Sequence, residues 1–509
     1  MNYDLTVPSQ LMAALLPDLV LMGGTMILLL VAAWRPDSDA HQRLVGKWSL
    51  ALIVATAAAV VWVGTSGVGT VSNGPIAVDG FRWTIDLVVL AGALGTIALL
   101  IEYNGRAGIR QAESHVLVLL ASSGMMILAA GRDLMVIFLG IEIMSVAVYV
   151  LTGLDRRSAR SAEASLKYFL LGAFATAFLL YGIALVYGAT GATQLAAIRS
   201  AIGATGHSFA PILVVGLGLM LVGLAFKVAA VPFHMWAPDV YDGAPTPVTG
   251  FMAATVKAAA FATFLRIWYE AFYFTFNAWA PVVWWLAVVT MVIGNVVALA
   301  QKNIKRMLAY SSIVHTGYLL AAVIANSGLG SGAFVFYVLA YTLATLGAFA
   351  IVSALQPAGE TDAPISAYEG LWHVRPWLAV AMAVYLLALM GFPVFGGIGF
   401  FAKWYLLQAL LSSPIRLTVL AVILVLTSVI SAGYYLQVVR VMFMKSRPEG
   451  AREVLPVGTF TRAVLAVTAV LILGFGLFPS RLAEFSRASS FQQYPLSPTT
   501  GFPIPPVGE

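Results

Sequence analysis

The sequence predicts an all-α polytopic membrane protein of about fourteen transmembrane helices, two of them broken. Three observations carry that reading. Hydrophobic residues make up 61% of the 509-residue chain and charged residues only 10%. A soluble domain carries roughly 25% charge, so there is too little polar surface here to wrap a soluble core, and disorder is excluded by the same balance. The apolar residues come in runs of about 20, the length that spans hydrocarbon as a helix, without the alternation of a membrane barrel. The basic residues fall almost entirely between those runs, and mostly on alternate loops.

The first run, 11–34, has no Lys or Arg before it. A secretory signal carries a basic n-region, so this run reads as a retained first helix. Further spans are expected at 48–67, 84–101, 115–130, 134–153, 168–189, 211–231, 248–265, 280–300, 307–325, 333–355, 376–411, 417–439 and 463–478. The odd-numbered loops hold eighteen basic residues, among them Arg35, Arg43, Lys47, Arg156, Arg157, Arg160, Lys305 and Arg452. The even-numbered loops and the two ends hold seven: Arg82, Arg132, Arg199, Arg266, Arg416, Arg481 and Arg487. Positive charge collects on the inner side, which puts both termini on the outer, periplasmic side of a bacterial inner membrane or an equivalent energy-transducing one. The net charge of +6 belongs to those inner loops and does not point to nucleic acid. Cysteine is absent, so the chain holds no disulfide, no Cys-based zinc site and no thiolate-bound iron–sulfur cluster.

Two spans are interrupted. Pro232 and Pro238 follow Lys227, and Pro393 stands among four glycines just before Lys403. Each proline frees a carbonyl at membrane depth, which is tolerated only against other protein or a hydrated cavity. A broken helix in each half points to an ion or substrate path built on inverted repeats. Spans four to eight and nine to thirteen overlay so that both breaks fall in the fourth helix.

Three lysines, Lys227, Lys257 and Lys403, remain after the loops are counted, and all lie inside spans. Glu142 lies about eight residues inside the fifth span, where an ionised carboxylate costs a few kcal/mol unless a cation is near. Glu142 and Lys227 are therefore expected to face each other between the fifth and seventh helices. His315 adds a side chain of a type whose unperturbed pKa is near neutrality. Five such groups spread over five spans suit a proton relay, in which each changes charge as its neighbour does. Other chemistry has little support. There is no phosphate loop or dinucleotide fingerprint. His234 and His315 are a weak signal for haem, and Asp239 and Asp242 read as capping or loop groups.

The run 226–248, Phe-Lys-Val-Ala-Ala-Val-Pro-Phe-His-Met-Trp-Ala-Pro-Asp-Val-Tyr-Asp-Gly-Ala-Pro-Thr-Pro-Val, continuing to Lys257, resembles the antiporter-like subunits of proton-pumping NADH:quinone oxidoreductase, respiratory complex I. The superfamily includes multi-subunit cation/proton antiporters. Glu163-Ala-Ser-Leu-Lys-Tyr-Phe-Leu-Leu-Gly172 and Phe400-Phe-Ala-Lys-Trp-Tyr405 are most similar to its subunit N branch. The resemblance covers spans four to thirteen and implies a fourteen-helix core with two inverted five-helix repeats. It divides the chain into a three-helix segment 1–114, a first repeat 115–272, a second repeat 273–447 and a last helix with its tail, 448–509. Matched by position, Glu142 stands for the fifth-helix glutamate and Lys227 for the seventh-helix lysine paired with it. Lys257 and His315 stand for the central relay and Lys403 for the twelfth-helix lysine. The resemblance implies proton translocation with no cofactor in this chain, flavin and iron–sulfur clusters residing in partner subunits. Expected partners are other membrane subunits, lipids and, indirectly, the NADH- and quinone-reacting peripheral arm. The absence of a long amphipathic helix after 478 suits subunit N. A secondary cation/proton antiporter subunit and a purely structural membrane subunit are the other readings.

Overall fold

The computed structural model describes every residue except 1–7, 67–73, 205–209, 326, 357–362, 394–396, 414, 416, 450–455 and 492–509. Among the described residues twelve helices are long and apolar enough to cross a membrane. In chain order the membrane helices begin with α1 Leu16–Trp34, α2 Asp39–Thr65, α3 Gly80–Ala107, α4 Glu113–Ala130, α5 Leu134–Thr152 and α6 Ala159–Thr190. The seventh predicted span is the shorter α7, Pro211–Lys227. It is followed by α8 Thr246–Glu270, α9 Tyr273–Leu299, α10 Ile304–Ile324 and α11 Gly328–Leu355. The twelfth predicted span is two short apolar helices, α12 Pro376–Met390 and α13 Ile398–Leu411, and the series closes with α14 Thr418–Met444 and α15 Thr459–Leu477. The fourteen segments read from the sequence are thus twelve uninterrupted helices and two that stop part-way. Residues 394–396 of the second break, with Arg416 and Arg452, lie outside the described residues.

Local chemistry sets the helix ends. Ser38, Asp79, Asp133, Asn303 and Ser327 each accept an amide from the first turn of the following helix. Gly108 and Gly191 end α3 and α6 in the left-handed region. The N-terminus of α15 is closed from a distance: Glu102 of α3 accepts the amides of Phe460 at 2.7 Å and Thr461 at 3.2 Å and the Thr461 hydroxyl at 2.6 Å. A carboxylate there satisfies orphan donors and opposes the helix dipole.

Burial is concentric. α8, α10 and α11 are almost entirely enclosed by other helices, whereas α1, α2 and α15 bury about a third or less of their length. Outward positions carry large apolar side chains such as Leu30, Trp62, Phe174 and Val429, each at least 65% exposed, a surface made for lipid. Contact between neighbouring helices depends on small residues. A Cβ on Gly124 of α4 would sit 2.5 Å from the Met144 amide nitrogen and 2.8 Å from the Gly140 carbonyl oxygen of α5. Gly182 brings α6 equally close to Met220 of α7.

Two features depart from the sequence reading. α8 contains a π-helical segment, Met252–Val256, directly before Lys257. Arg82 and Arg266, expected as outer-loop charges, are fully buried in α3 and α8, because carboxylates from other parts of the chain reach them there.

Gly124→Val should separate α4 from α5 and lower stability by about 1–3 kcal/mol or more, since backbone cannot yield as a side chain does. Thermal denaturation of the detergent-solubilised protein reads this directly; an unchanged midpoint would show that the contact is not tight.

Candidate functional site

The Asp133 cap starts α5 by accepting the Met135 amide at 2.8 Å. Glu142 and Ser145 then fall three residues apart, on neighbouring positions of one helix face. Glu142 is half-buried, and its Oε1 is enclosed without a hydrogen-bond partner among the described residues. Lys227 ends α7, where its ammonium donates to Ser145 Oγ at 2.8 Å and to the Tyr149 hydroxyl at 3.3 Å. Glu142 and Lys227 make no direct ion pair. Hydroxyls from the same helix as Glu142 occupy the ammonium instead, and the carboxylate acts on it only at Coulombic range.

α7 stops at Lys227 because the backbone turns away, with Ala229 at φ +57° and Pro232 unable to donate. Other helices take up the freed groups. Thr316 of α10 donates to the Val228 carbonyl at 2.6 Å, and the Val231 amide donates to Thr290 of α9 at 3.0 Å. Trp236 donates to the Phe226 carbonyl at 3.1 Å. The break is braced by protein on several sides, the condition under which such a backbone persists in hydrocarbon.

Lys257 emerges from the π segment of α8 and meets α10. Its ammonium donates to the Ser312 carbonyl at 2.6 Å and to the Ser312 hydroxyl, which also accepts from Tyr341 of α11 at 2.9 Å. His315 lies one turn further along α10, 3% exposed, with Nδ1 2.6 Å from the Tyr337 hydroxyl and Nε2 3.3 Å from that of Tyr435. Tyr435 is in turn bonded to Ser311. Lys403 of α13 donates to the Met390 carbonyl at 2.8 Å, the last residue of α12, so the lysine closes a carbonyl that the second break leaves free. Its ammonium stands 4.9 Å from the centre of the Tyr318 ring. A cavity of about 10 Å³, the room one water centre needs, lies between His315 and Lys403 beside Tyr341 and Gly399.

The structure therefore brings Lys257, His315 and Lys403 together around α10. Lys227 and Glu142 stand apart, joined to α10 through the Val228–Thr316 bond. Neither Lys257 nor Lys403 has a carboxylate partner among the described residues. Their partners are neutral oxygens, the Ser312 carbonyl and hydroxyl for Lys257 and the Met390 carbonyl for Lys403, as Ser145 and Tyr149 are for Lys227. Sequence reasoning missed these hydroxyls and the tyrosines around His315, although Ser-Ser-x-x-His on one helix carries a trace of the arrangement.

The two aspartates read as capping or loop groups have ordinary partners. Asp239 pairs with Arg306 at 2.8 Å and Lys167 at 3.1 Å, and Asp242 accepts from Asn303 at 3.0 Å. Partial burial works against the Asp239 carboxylate, but the bonds from Arg306 and Lys167 outweigh it and hold its pKa below the ordinary value. Among the described residues no group of three His, Asp or Glu side chains could hold a metal ion.

Residues 131–431, which contain all five candidate groups, match the family model described as "NADH:quinone oxidoreductase/Mrp antiporter, TM". NADH-quinone oxidoreductase subunit N of Gemmatimonas aurantiaca is 49% identical over 98% of this chain and 96% of its own length. A chain of respiratory complex I from Thermus thermophilus superposes with a TM-score of 0.76 at 35% identity, covering 93% of this chain and all of that one. A chain of the Mrp complex from Dietzia superposes with a TM-score of 0.81 at 22% identity, over 93% of this chain and 97% of that one, a likeness of fold.

A buried ammonium without a carboxylate costs stability, so its replacement is informative. Lys257→Met should keep or raise the thermal midpoint of the solubilised protein. A marked fall would assign Lys257 to packing.

Proposed function

The chain belongs to the NADH:quinone oxidoreductase/Mrp antiporter membrane family, and from that premise we propose that it is a proton-translocating membrane subunit of an NADH:quinone oxidoreductase, corresponding to subunit N. The observation that carries the reading is the row of buried cationic groups held by neutral oxygens. A lysine bonded to a carboxylate leaves a buried anion behind when it gives up its proton. Lys257 and Lys403, bonded to hydroxyls and carbonyls, leave none, so each can be discharged and recharged inside the membrane.

In this reading Glu142 biases the charge on Lys227, while Lys257, His315 and Lys403 form the central path. Ser312 and Tyr435 supply hydroxyls between stations, and water in the cavity joins His315 to Lys403. One charged lysine disfavours a charge on His315, which makes successive occupancy possible. Redox chemistry belongs to partner subunits, where flavin and iron–sulfur clusters reside, and this chain contributes to the translocase without a reaction of its own. The partners are neighbouring membrane subunits and lipid, with the NADH- and quinone-reacting arm reached indirectly. Two five-helix repeats, 115–272 and 273–447, framed by 1–114 and 448–509, are supported by the glycine-packed α4–α5 contact, by the matching approach of Gly317 in α10 to α9, and by a broken fourth helix in each repeat. Fourteen crossings follow when α7 and the α12–α13 pair are counted as spans, with both termini on the periplasmic side of a bacterial inner membrane. A subunit of a cation/proton antiporter is the second reading, favoured by the Mrp-like fold alone; the much higher identity to a subunit N favours the first.

Lys403→Ala in the assembled complex should assemble normally and cut the rate of proton transfer by about 10²-fold or more, the size of a lost acid–base group. Pumping at the normal rate, measured in vesicles beside electron transfer, would remove Lys403 from the path. Because the native chain has no cysteine, single cysteines at 156–160 label cleanly. They should react from the inner side; reaction only from the outer side would overturn the orientation.

A further inference from the structure

A second set of buried charges lies away from the relay, at the starts of α1 and α3. Asp18, Arg82 and Asp86 are 3%, 0% and 0% exposed. Arg82 Nη2 donates to Asp18 Oδ2, and Nη1 donates to the Ala77 carbonyl at 2.9 Å. Its Nε lies 3.4 Å from Asp86 Oδ2, close enough for an ion pair but without hydrogen-bond geometry. Both Asp86 oxygens and Asp18 Oδ1 are enclosed with no hydrogen-bond partner among the described residues.

The neighbouring cluster shows what charge balance looks like in the same region. Arg266 holds Asp79 with bonds of 2.9 and 3.1 Å and Glu270 at 2.7 Å, and Arg132 holds the other oxygen of Glu270 at 2.8 Å. Two carboxylates there meet two guanidiniums. At Asp18, Arg82 and Asp86, two carboxylates meet one. The charges acting on Asp86 are Arg82 on its own helix, Asp18 from α1 and Asp79 at the start of α3, and Asp79 is already matched by Arg266. His41 and His115, on the packed helices α2 and α4, belong to the opposite end of the bundle. A buried carboxylate with neither a hydrogen bond nor its own cation does not stay ionised; it takes up a proton. A metal cation in the same place would stand against the Arg82 guanidinium, whereas a proton adds charge only where the surplus lies.

We propose that Asp18, Arg82 and Asp86 form a proton-binding site on the outer half of the membrane, with the ion pair between Asp18 and Arg82 and the proton on Asp86. The site is separate from the relay and stands whether or not that relay operates.

Infrared spectroscopy of the assembled complex tests it. The wild type should show a carboxylic-acid carbonyl band that Asp86→Asn loses, with normal assembly, because asparagine copies a neutral carboxyl. Asp18→Asn should lose the same band, since the remaining carboxylate then pairs with Arg82 and ionises. A band of unchanged intensity in both variants overturns the proposal. Failure of Asp86→Asn to assemble while Asp86→Glu assembles also overturns it, because that pattern demands an ionised group. So does a sodium-dependent thermal midpoint in the wild type that Asp86→Asn abolishes, which would make the occupant a metal cation.

Discussion

Backbone polar groups released inside hydrocarbon must find partners within the protein, and this requirement organises the interior of the chain. Both interrupted helices meet it with side chains from elsewhere in the bundle. At the first break Thr316, Thr290 and Trp236 take up carbonyls and an amide between Phe226 and Val231. At the second, Lys403 itself satisfies Met390. The helices that supply these groups, α9 and α10, are therefore fixed against the breaks, and α10 carries Ser312 and His315 on the same turns. The polar centre is thus a by-product of holding broken helices as much as a place for charge.

The same economy governs the lysines. Each stands where an oxygen already needed a donor: Ser145, whose own hydroxyl is committed to the Ile141 carbonyl, Ser312, or a helix-end carbonyl. These partners orient the ammonium without neutralising it. A carboxylate would hold it more firmly and make it inert. The arginine cluster shows the contrast, for there Arg266 is locked between Asp79 and Glu270. Arginine, with its planar fork and permanent charge, suits a static network, whereas lysine gives up its proton more readily, as the proposed relay requires.

The membrane class and nearly all helices were legible because hydropathy is a one-dimensional signal. Lys227, Lys257 and Lys403 stood out for the same reason, as charges in long apolar runs. What escaped was relational. Ser145 and Tyr435 look like any hydroxyl in a membrane helix, where bonding back to the preceding turn is common, as Ser122 does with Val118. The π segment before Lys257 leaves no mark in residues Met-Ala-Ala-Thr-Val. Arg82 and Arg266 were assigned to loops because each lies near the end of a run and its carboxylate partner lies in a distant segment, Asp18 being 64 residues from Arg82. The Glu142–Lys227 pair is expected from depth alone, and depth does not say which of two acceptors on one helix a lysine will choose.

Glu102 joins Phe460 and Thr461 across 358 residues of sequence, so the carboxylate that finishes the last membrane helix is synthesised long before the helix it finishes. Until that meeting, the first turn of α15 has amide donors with no acceptor. Insertion into the bilayer can proceed span by span, but closure of the seam between α3 and α15 waits until residues 460 and 461 have been made. A chain stopped before residue 459 lacks the segment that covers Glu102, and it presents a bare carboxylate on α3 where the longer chain presents a sealed seam.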